Sequence, residues 1–151
     1  MGEAITLVNN FKVDKVIFNC GTYNDLEKEL TKVLDNKNIK YHSCIKELNI
    51  DKYKLEFLNT KEYDNENDNS NVIYLNYNNY KFLFMGDAGT EKEKDILEKY
   101  YLKDIDFLKI DHHGSNTSSS KYFIDSINPK YSLISVGKNN RYNSFRKIDC
   151  I

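Results

Sequence analysis

The 151-residue sequence has no tryptophan and a single proline, Pro129. It has only three cysteines, Cys20, Cys44 and Cys150. They are scattered and odd in number, which fits neither a disulfide framework nor a Cys-x-x-Cys zinc knuckle, so reduced thiols are expected. No apolar run approaches the roughly 20 residues of a membrane helix. The first residues lack the basic stretch followed by an apolar run that marks a signal peptide. A cytoplasmic location is therefore expected. An excess of one charge is also lacking: 22 Lys and Arg against 23 Asp and Glu leave a net charge of -1 with the histidines neutral. That balance excludes holding nucleic acid by bulk charge alone, but it allows a small phosphate-reading site.

The length suits one domain with a sizeable core. Residues 3–10 read as the end of a helix, and the apolar run at 14–19 as a buried strand. An amphipathic helix is expected over residues 24–35. Its Leu26, Leu30, Val33 and Leu34 recur at i, i+4, i+7 and i+8. A short strand at 39–43 follows, and 53–59 alternates apolar and polar residues as a half-buried strand does. Residues 60–71 are polar and read as loop. Residues 72–77 and 80–85 flank Asn78-Asn79, a pair that tolerates the left-handed backbone of a two-residue hairpin turn. Thr90 and Glu93 have the spacing of a capping box for a helix running to about residue 101, with Ile96, Leu97 and Tyr100 inward. Strands at 107–110 and 131–136 enclose a short helix capped by Ser119 or Ser120. Alternation of strands and helices makes the chain α/β.

Two segments have the residue types of a chemical site. In Met85-Gly86-Asp87-Ala88-Gly89 an apolar strand ends and a carboxylate stands on the turn before a helix. Strand ends of this kind are where α/β sheets collect their sites. In Lys109-Ile110-Asp111-His112-His113-Gly114-Ser115 a second apolar strand runs into two adjacent imidazoles. Neutral imidazole is a common zinc ligand, and adjacent residues on extended chain point to opposite sides. One histidine could therefore ligate while the other, or Asp111, serves as its hydrogen-bond partner. The hydroxyls and N–H groups from Ser115 and Asn116 to Ser120 suit either an anion or plain capping of the next helix. His42 stands alone and reads as an ordinary packed or exposed residue.

Taken in order, Asn67-Asp68-Asn69-Ser70, a hairpin ending in Gly86-Asp87-Ala88, a helix, His112-His113-Gly114-Ser115, Pro129-Lys130-Tyr131 and Ile134-Ser135-Val136-Gly137 form a specific series. It resembles the metallo-β-lactamase domain of ComEC-type competence proteins and their stand-alone relatives, from about residue 2 to residue 143. The resemblance implies an αββα sandwich with two zinc ions at one edge, where metal-bound hydroxide attacks a phosphodiester or similar ester. Asp87 would bridge the two metals. One histidine of the pair, His113 in preference to His112, would complete the second. Asp111, Gly114, Ser115 and Asn116 would lie around substrate or behind the ligands. Nucleic acid or another phosphoester is the implied substrate, and intact competence relatives are membrane-attached.

The departures from that pattern are specific too. The family's His-x-His-x-Asp-His cluster is missing, and the only histidines are His42, His112 and His113. Met1-Gly2-Glu3-Ala4 stands where the family continues beyond that cluster. Residues 139–143 resemble a segment that relatives extend into a His-Pro sequence, whereas here 144–151 diverge, as a frameshift would produce. The expectation is a partial sandwich over 1–143 with a divergent tail at 144–151. It would lack the N-terminal strands and C-terminal elements, hold zinc weakly or not at all, and be inactive alone. Such a half-sandwich would leave a sheet face and edge exposed, and would either associate with itself through that sheet or be a marginally stable monomer. The other reading is a non-catalytic binding domain that keeps the fold.

Overall fold

The computed structural model describes residues 2–110 and 118–135. In chain order the elements are α1 (Gly2–Asn10), β1 (Lys15–Phe18), α2 (Asp25–Asn36), β2 (Lys40–Ser43), β3 (Glu47–Ile50) and β4 (Tyr53–Phe57). A 3-10 turn (Glu66–Asn69) follows, then β5 (Ile73–Tyr77), β6 (Tyr80–Phe84), α3 (Thr90–Lys99), β7 (Phe107–Lys109), α4 (Lys121–Ile127) and β8 (Tyr131–Leu133). The chain is mixed α/β, as its alternating pattern implies. Among the described residues the strands form a parallel pair, β1-β2, and a six-stranded sheet in the order β3-β4-β5-β6-β7-β8. Pairing is antiparallel from β3 to β6 and parallel from β6 to β8.

The hairpin β5-β6 forms as its Asn-Asn turn predicts. Asn78 and Asn79 have φ of 49° and 69°, the left-handed values a type I′ turn needs at both positions. The strand β3 has no counterpart in the sequence reading. It joins β4 through Asp51-Lys52, with Asp51 at φ 51°. That pair lacks the glycine or paired asparagines that make a hairpin turn visible in a sequence.

Helix α2 starts as a true capping box. The Asn24 side chain accepts from the Glu27 N–H, and a Glu27 carboxylate oxygen accepts from the Asn24 N–H at 2.9 Å. This rotates the buried stripe from the one expected. Glu27, Leu30 and Leu34 are buried, whereas Leu26 is 51% exposed. Glu27 turns inward because its carboxylate folds back over the helix start, and Leu26, one residue earlier, is carried outward.

Two apolar clusters hold the described residues together. Val8, Phe18, Leu30 and Leu34 pack where α1 and α2 meet β1 and β2. The larger one places Leu83 and Leu108 of the six-stranded sheet under Ile96 of α3 and Phe123 and Ile127 of α4. The other face of that sheet carries aromatic residues in register. Phe82 pairs with Phe107, and Phe107 with Tyr131. Their rings stack at centroid distances of 4.8 and 5.3 Å. At the margins of this row Tyr80, Phe84, Tyr131 and Leu133 are exposed.

One expectation is overturned outright. Cys20 and Cys44 form a disulfide rather than standing as free thiols. Each cysteine lies just beyond the end of one strand of the parallel pair β1-β2, so sheet pairing brings together residues 24 positions apart in sequence. Sequence spacing could not show this, because the neighbours are set by strand register. Cys150 lies outside the described residues, as does the tail 144–151. Among the described residues no helix is long and apolar enough to cross a membrane.

Closing a loop of this length removes unfolded-chain entropy worth about 3 kcal/mol. Reduction, or the paired change Cys20→Ala with Cys44→Ala, should therefore lower the midpoint of chemical denaturation by an amount of roughly 2–4 kcal/mol. An unchanged midpoint on adding reductant is the contrary result.

Candidate functional site at the Asp87 turn

Strands β6 and β7 are parallel neighbours, with Phe84 paired to Lys109. Their C-terminal ends emerge side by side, so the two polar segments singled out in the sequence follow adjacent strands. Asp87 stands three positions beyond β6. The companion residues Asp111, His112, His113, Gly114, Ser115 and Asn116 follow β7 in sequence but lie outside the described residues.

The turn that carries Asp87 is tightly specified. Gly86 has φ +66°, and a Cβ there would come within 2.9 Å of the Ser70 Cβ, so only glycine fits. The Asp87 N–H donates to Ser70 Oγ at 3.2 Å, and the Gly89 N–H donates to Asp68 Oδ1 at 2.6 Å. Asp68 Oδ2 in turn accepts from Asn65 Nδ2 at 3.1 Å. Asn69 is buried and holds Tyr63 from both sides, accepting its N–H at 2.9 Å and donating to its C=O at 2.8 Å. The polar stretch 60–71 is thus more than a loop. Its 3-10 turn is the bed on which the Asp87 turn rests.

The Asp87 carboxylate itself is exposed and has no hydrogen bond or ion pair among the described residues. It borders a cleft of about 560 Å³. Gly86, Ser70, Asn71, Phe84 and Lys109 line one side, and Val16, Ile17, Phe18 and Asn19 of the β1 region line the other. A free carboxylate at the mouth of a partly apolar cleft suits a cation or a hydrogen-bond donor on a bound molecule.

The first turn of α3 departs from expectation. Thr90 does not cap the helix; it is the first helical residue, and Gly89 holds the cap position without a side-chain bond. Glu93 does not reach back either. It is buried, and its carboxylate accepts from the N–H groups of Ser119, at 2.5 Å, and Ser120, at 3.0 Å. Ser120, rather than Ser119, caps α4, its hydroxyl accepting from the Phe123 N–H at 3.2 Å. The backbone N–H groups at 119 and 120, open to an anion in the sequence reading, are thus already used by Glu93. His42 is an exposed residue of β2.

Lys92 escaped the sequence reading altogether, because lysine on a helix is normally solvated. It is only 3% exposed. Its ammonium donates to the Ser70 C=O at 2.6 Å and lies 5.7 Å from the centre of the Tyr63 ring. Burial pushes its pKa down to about 8, although the nearby Asp68 charge opposes the shift. Asp68 stands in the sequence only as part of the Asn67-Asp68-Asn69-Ser70 motif, and Lys92 has no signal there.

A metal fits the described residues only in part. Catalytic zinc usually takes three protein ligands and keeps an open position. Among the described residues no group of three His, Cys, Asp or Glu could hold a metal ion. Asp87 offers one carboxylate, and the histidine pair lies outside the described residues.

No protein-family model matches the chain. Similarity to known proteins is nonetheless clear over about half of it. The chain is 35% identical over 78 residues, 52% of its length, to ComE operon protein 3 of Bacillus subtilis. It is 37% identical over 93 residues, 58% of its length, to competence protein ComA of Neisseria gonorrhoeae. It is 35% identical over 73 residues, 48% of its length, to recombination protein 2 of Haemophilus influenzae. These similarities relate the chain to competence proteins, over a narrower span than residues 2–143. The chain spans only about a tenth of these relatives, with 10%, 13% and 9% of their lengths matched.

The depressed Lys92 pKa has a consequence for stability. An ordinary lysine in the unfolded chain keeps its proton to about pH 10.4, so between pH 8 and 10 the unfolded state binds more protons than the folded one. Stability should therefore rise with pH across that window, by up to roughly 3 kcal/mol from this group. Above pH 10 tyrosines such as Tyr63, whose pKa is raised chiefly by burial, work in the opposite direction. Denaturant titrations of the wild type and of Lys92→Met check this. The slope between pH 8 and 10 should flatten in the variant, and equal slopes would remove the buried-ammonium interpretation.

Proposed function

We propose that this chain is a partial metallo-β-lactamase-type domain, related to a DNA-uptake hydrolase, whose intact form cleaves phosphodiesters with zinc. The observation that carries the reading is the Asp87 turn. It is a free carboxylate held rigidly at the C-terminal edge of two parallel strands, beside a cleft and directly across from the strand that leads into His112 and His113. Similarity to competence and recombination proteins supports a role connected with DNA. The six-stranded mixed sheet backed by α3 and α4 is compatible with one half of a sandwich.

In that reading Asp87 and a histidine of the pair would hold zinc, which would activate water and balance the charge that develops on the phosphate. The described donor set does not complete such a centre. What this chain's own residues do is narrower. Gly86, Ser70 and Asp68 fix the backbone of the turn, which aims Asp87 at the cleft. Lys109 and Asn71 line the same cleft and suit the oxygens of a phosphoester. His113, or His112, would be the further ligand, with Asp111, Gly114, Ser115 and Asn116 around it. With so few ligands the isolated chain should hold zinc weakly and hydrolyse nothing at a useful rate.

Zinc titration by calorimetry, with phosphodiester hydrolysis assayed in parallel, tests the proposal. The expected outcome is zinc binding no tighter than about micromolar, weakened further by Asp87→Ala, with no zinc-dependent turnover. Hydrolysis by the 151-residue chain that Asp87→Ala abolishes would sink the claim of inactivity. Zinc binding that Asp87→Ala leaves untouched would remove Asp87 from the site.

The exposed aromatic face favours a second reading, a non-catalytic domain that docks on another copy of itself. Phe107 is stacked between Phe82 and Tyr131, so both faces of its ring are occupied. A ring so placed suits packing against an apolar surface better than stacking of nucleobases. Sedimentation equilibrium should then show a dimer that Phe107→Lys dissociates. A monomer at all accessible concentrations eliminates this reading.

A further inference from the structure

The first turn of α3 buries two neighbouring charges, Lys92 at 3% exposure and Glu93 at 1%. Charged side chains are almost never buried so fully without partners, because their desolvation is costly. Here each has partners on a different loop. Consecutive residues of a helix point about 100° apart, so the two cannot serve the same neighbour. Lys92 donates to the Ser70 C=O at 2.6 Å, on the loop whose Ser70 hydroxyl and Asp68 carboxylate hold the N–H groups of Asp87 and Gly89. Glu93 accepts from the N–H groups of Ser119 and Ser120, at the end of the chain that leads from β7 to α4. Ala88, fully buried, and the Glu93 N–H, which donates to the Gly89 C=O at 3.1 Å, tie the Asp87 turn directly to the same helical turn.

We propose that Lys92 and Glu93 are positioning residues that couple the Asp87 turn to the Ser119-Ser120 backbone at the start of α4, so that loosening one loosens the other. The functional meaning rests on the reading above, in which both loops serve one site. The coupling itself is independent of metal. The competing possibility is that each charge pins only its own loop. Both are consistent with destabilisation on mutation, so thermal stability cannot separate them. The cross-effect can.

The test is residue-resolved amide hydrogen exchange on the full chain in metal-free buffer, comparing wild type with Lys92→Met and Glu93→Gln. Lys92→Met should accelerate exchange at Asp87 and Gly89, and also at Ser119 and Ser120, by roughly tenfold or more. Glu93→Gln should accelerate the same four amides. The amides that pair β4 with β5 should keep their wild-type protection and so report an intact fold. If that protection is lost as well, Lys92→Arg and Glu93→Asp take their place. Both keep the charge, Lys92→Arg altering the shape of the donor group and Glu93→Asp the reach, and the same cross-effect is expected at smaller size. Acceleration confined to the loop that each residue touches, or seen in neither loop, overturns the proposal. Coupling together with zinc binding that Asp87→Ala leaves untouched counts against the hydrolase reading and leaves this inference standing; Asp87-dependent zinc binding without coupling does the reverse.

Discussion

An ammonium group removed from water must find acceptors, and at Lys92 that requirement organises everything around it. Its long stem crosses from α3 to the loop before β5, where the Ser70 C=O receives its proton. The Tyr63 ring lies near it, and the Asp68 charge partly offsets the cost of burial. Ser70 then has its hydroxyl free to receive the Asp87 N–H. Asp68 is left to receive the Gly89 N–H. The backbone of the turn that carries the Asp87 carboxylate is therefore held by a chain of contacts that includes a buried cation on the neighbouring helix.

The described structure has two unlike parts. The α1-α2-β1-β2 part is a small apolar cluster pinned by the Cys20–Cys44 disulfide. The six-stranded part has a dry core on its helical face and stacked aromatic rings on the other. The cleft lies between β1 and the ends of β6 and β7, where these two parts approach. Its walls are consequently apolar from β1 and polar from the Asp87 turn. That combination suits a ligand with a charged group and an apolar or aromatic body.

Much of this was legible from local pattern alone. The Asn78-Asn79 hairpin, the existence of α2 and α3, and the place of Asp87 at a strand end all follow from short-range rules of turn and helix chemistry. One misreading arose where a side chain had a distant use, and others were local. Thr90 and Glu93 had the spacing of a cap, yet Glu93 is spent on Ser119 and Ser120, 26 and 27 positions away. Leu26 had the spacing of a buried residue, yet Glu27 takes the inner position. The Asp51-Lys52 hairpin was missed because neither residue advertises a left-handed turn.

By itself, the sequence determined the α/β alternation and the Gly86-Asp87 turn, because each is written in residues close together along the chain, and it carries a similarity to competence proteins over about half its length. Tertiary structure alone decided that Cys20 meets Cys44, that Lys92 and Glu93 are buried, and that Phe82, Phe107 and Tyr131 form one stacked row. The physical reason is common to all three. They depend on strand order and on which helix covers which face, and those are settled by the collective burial of apolar surface rather than by any local preference.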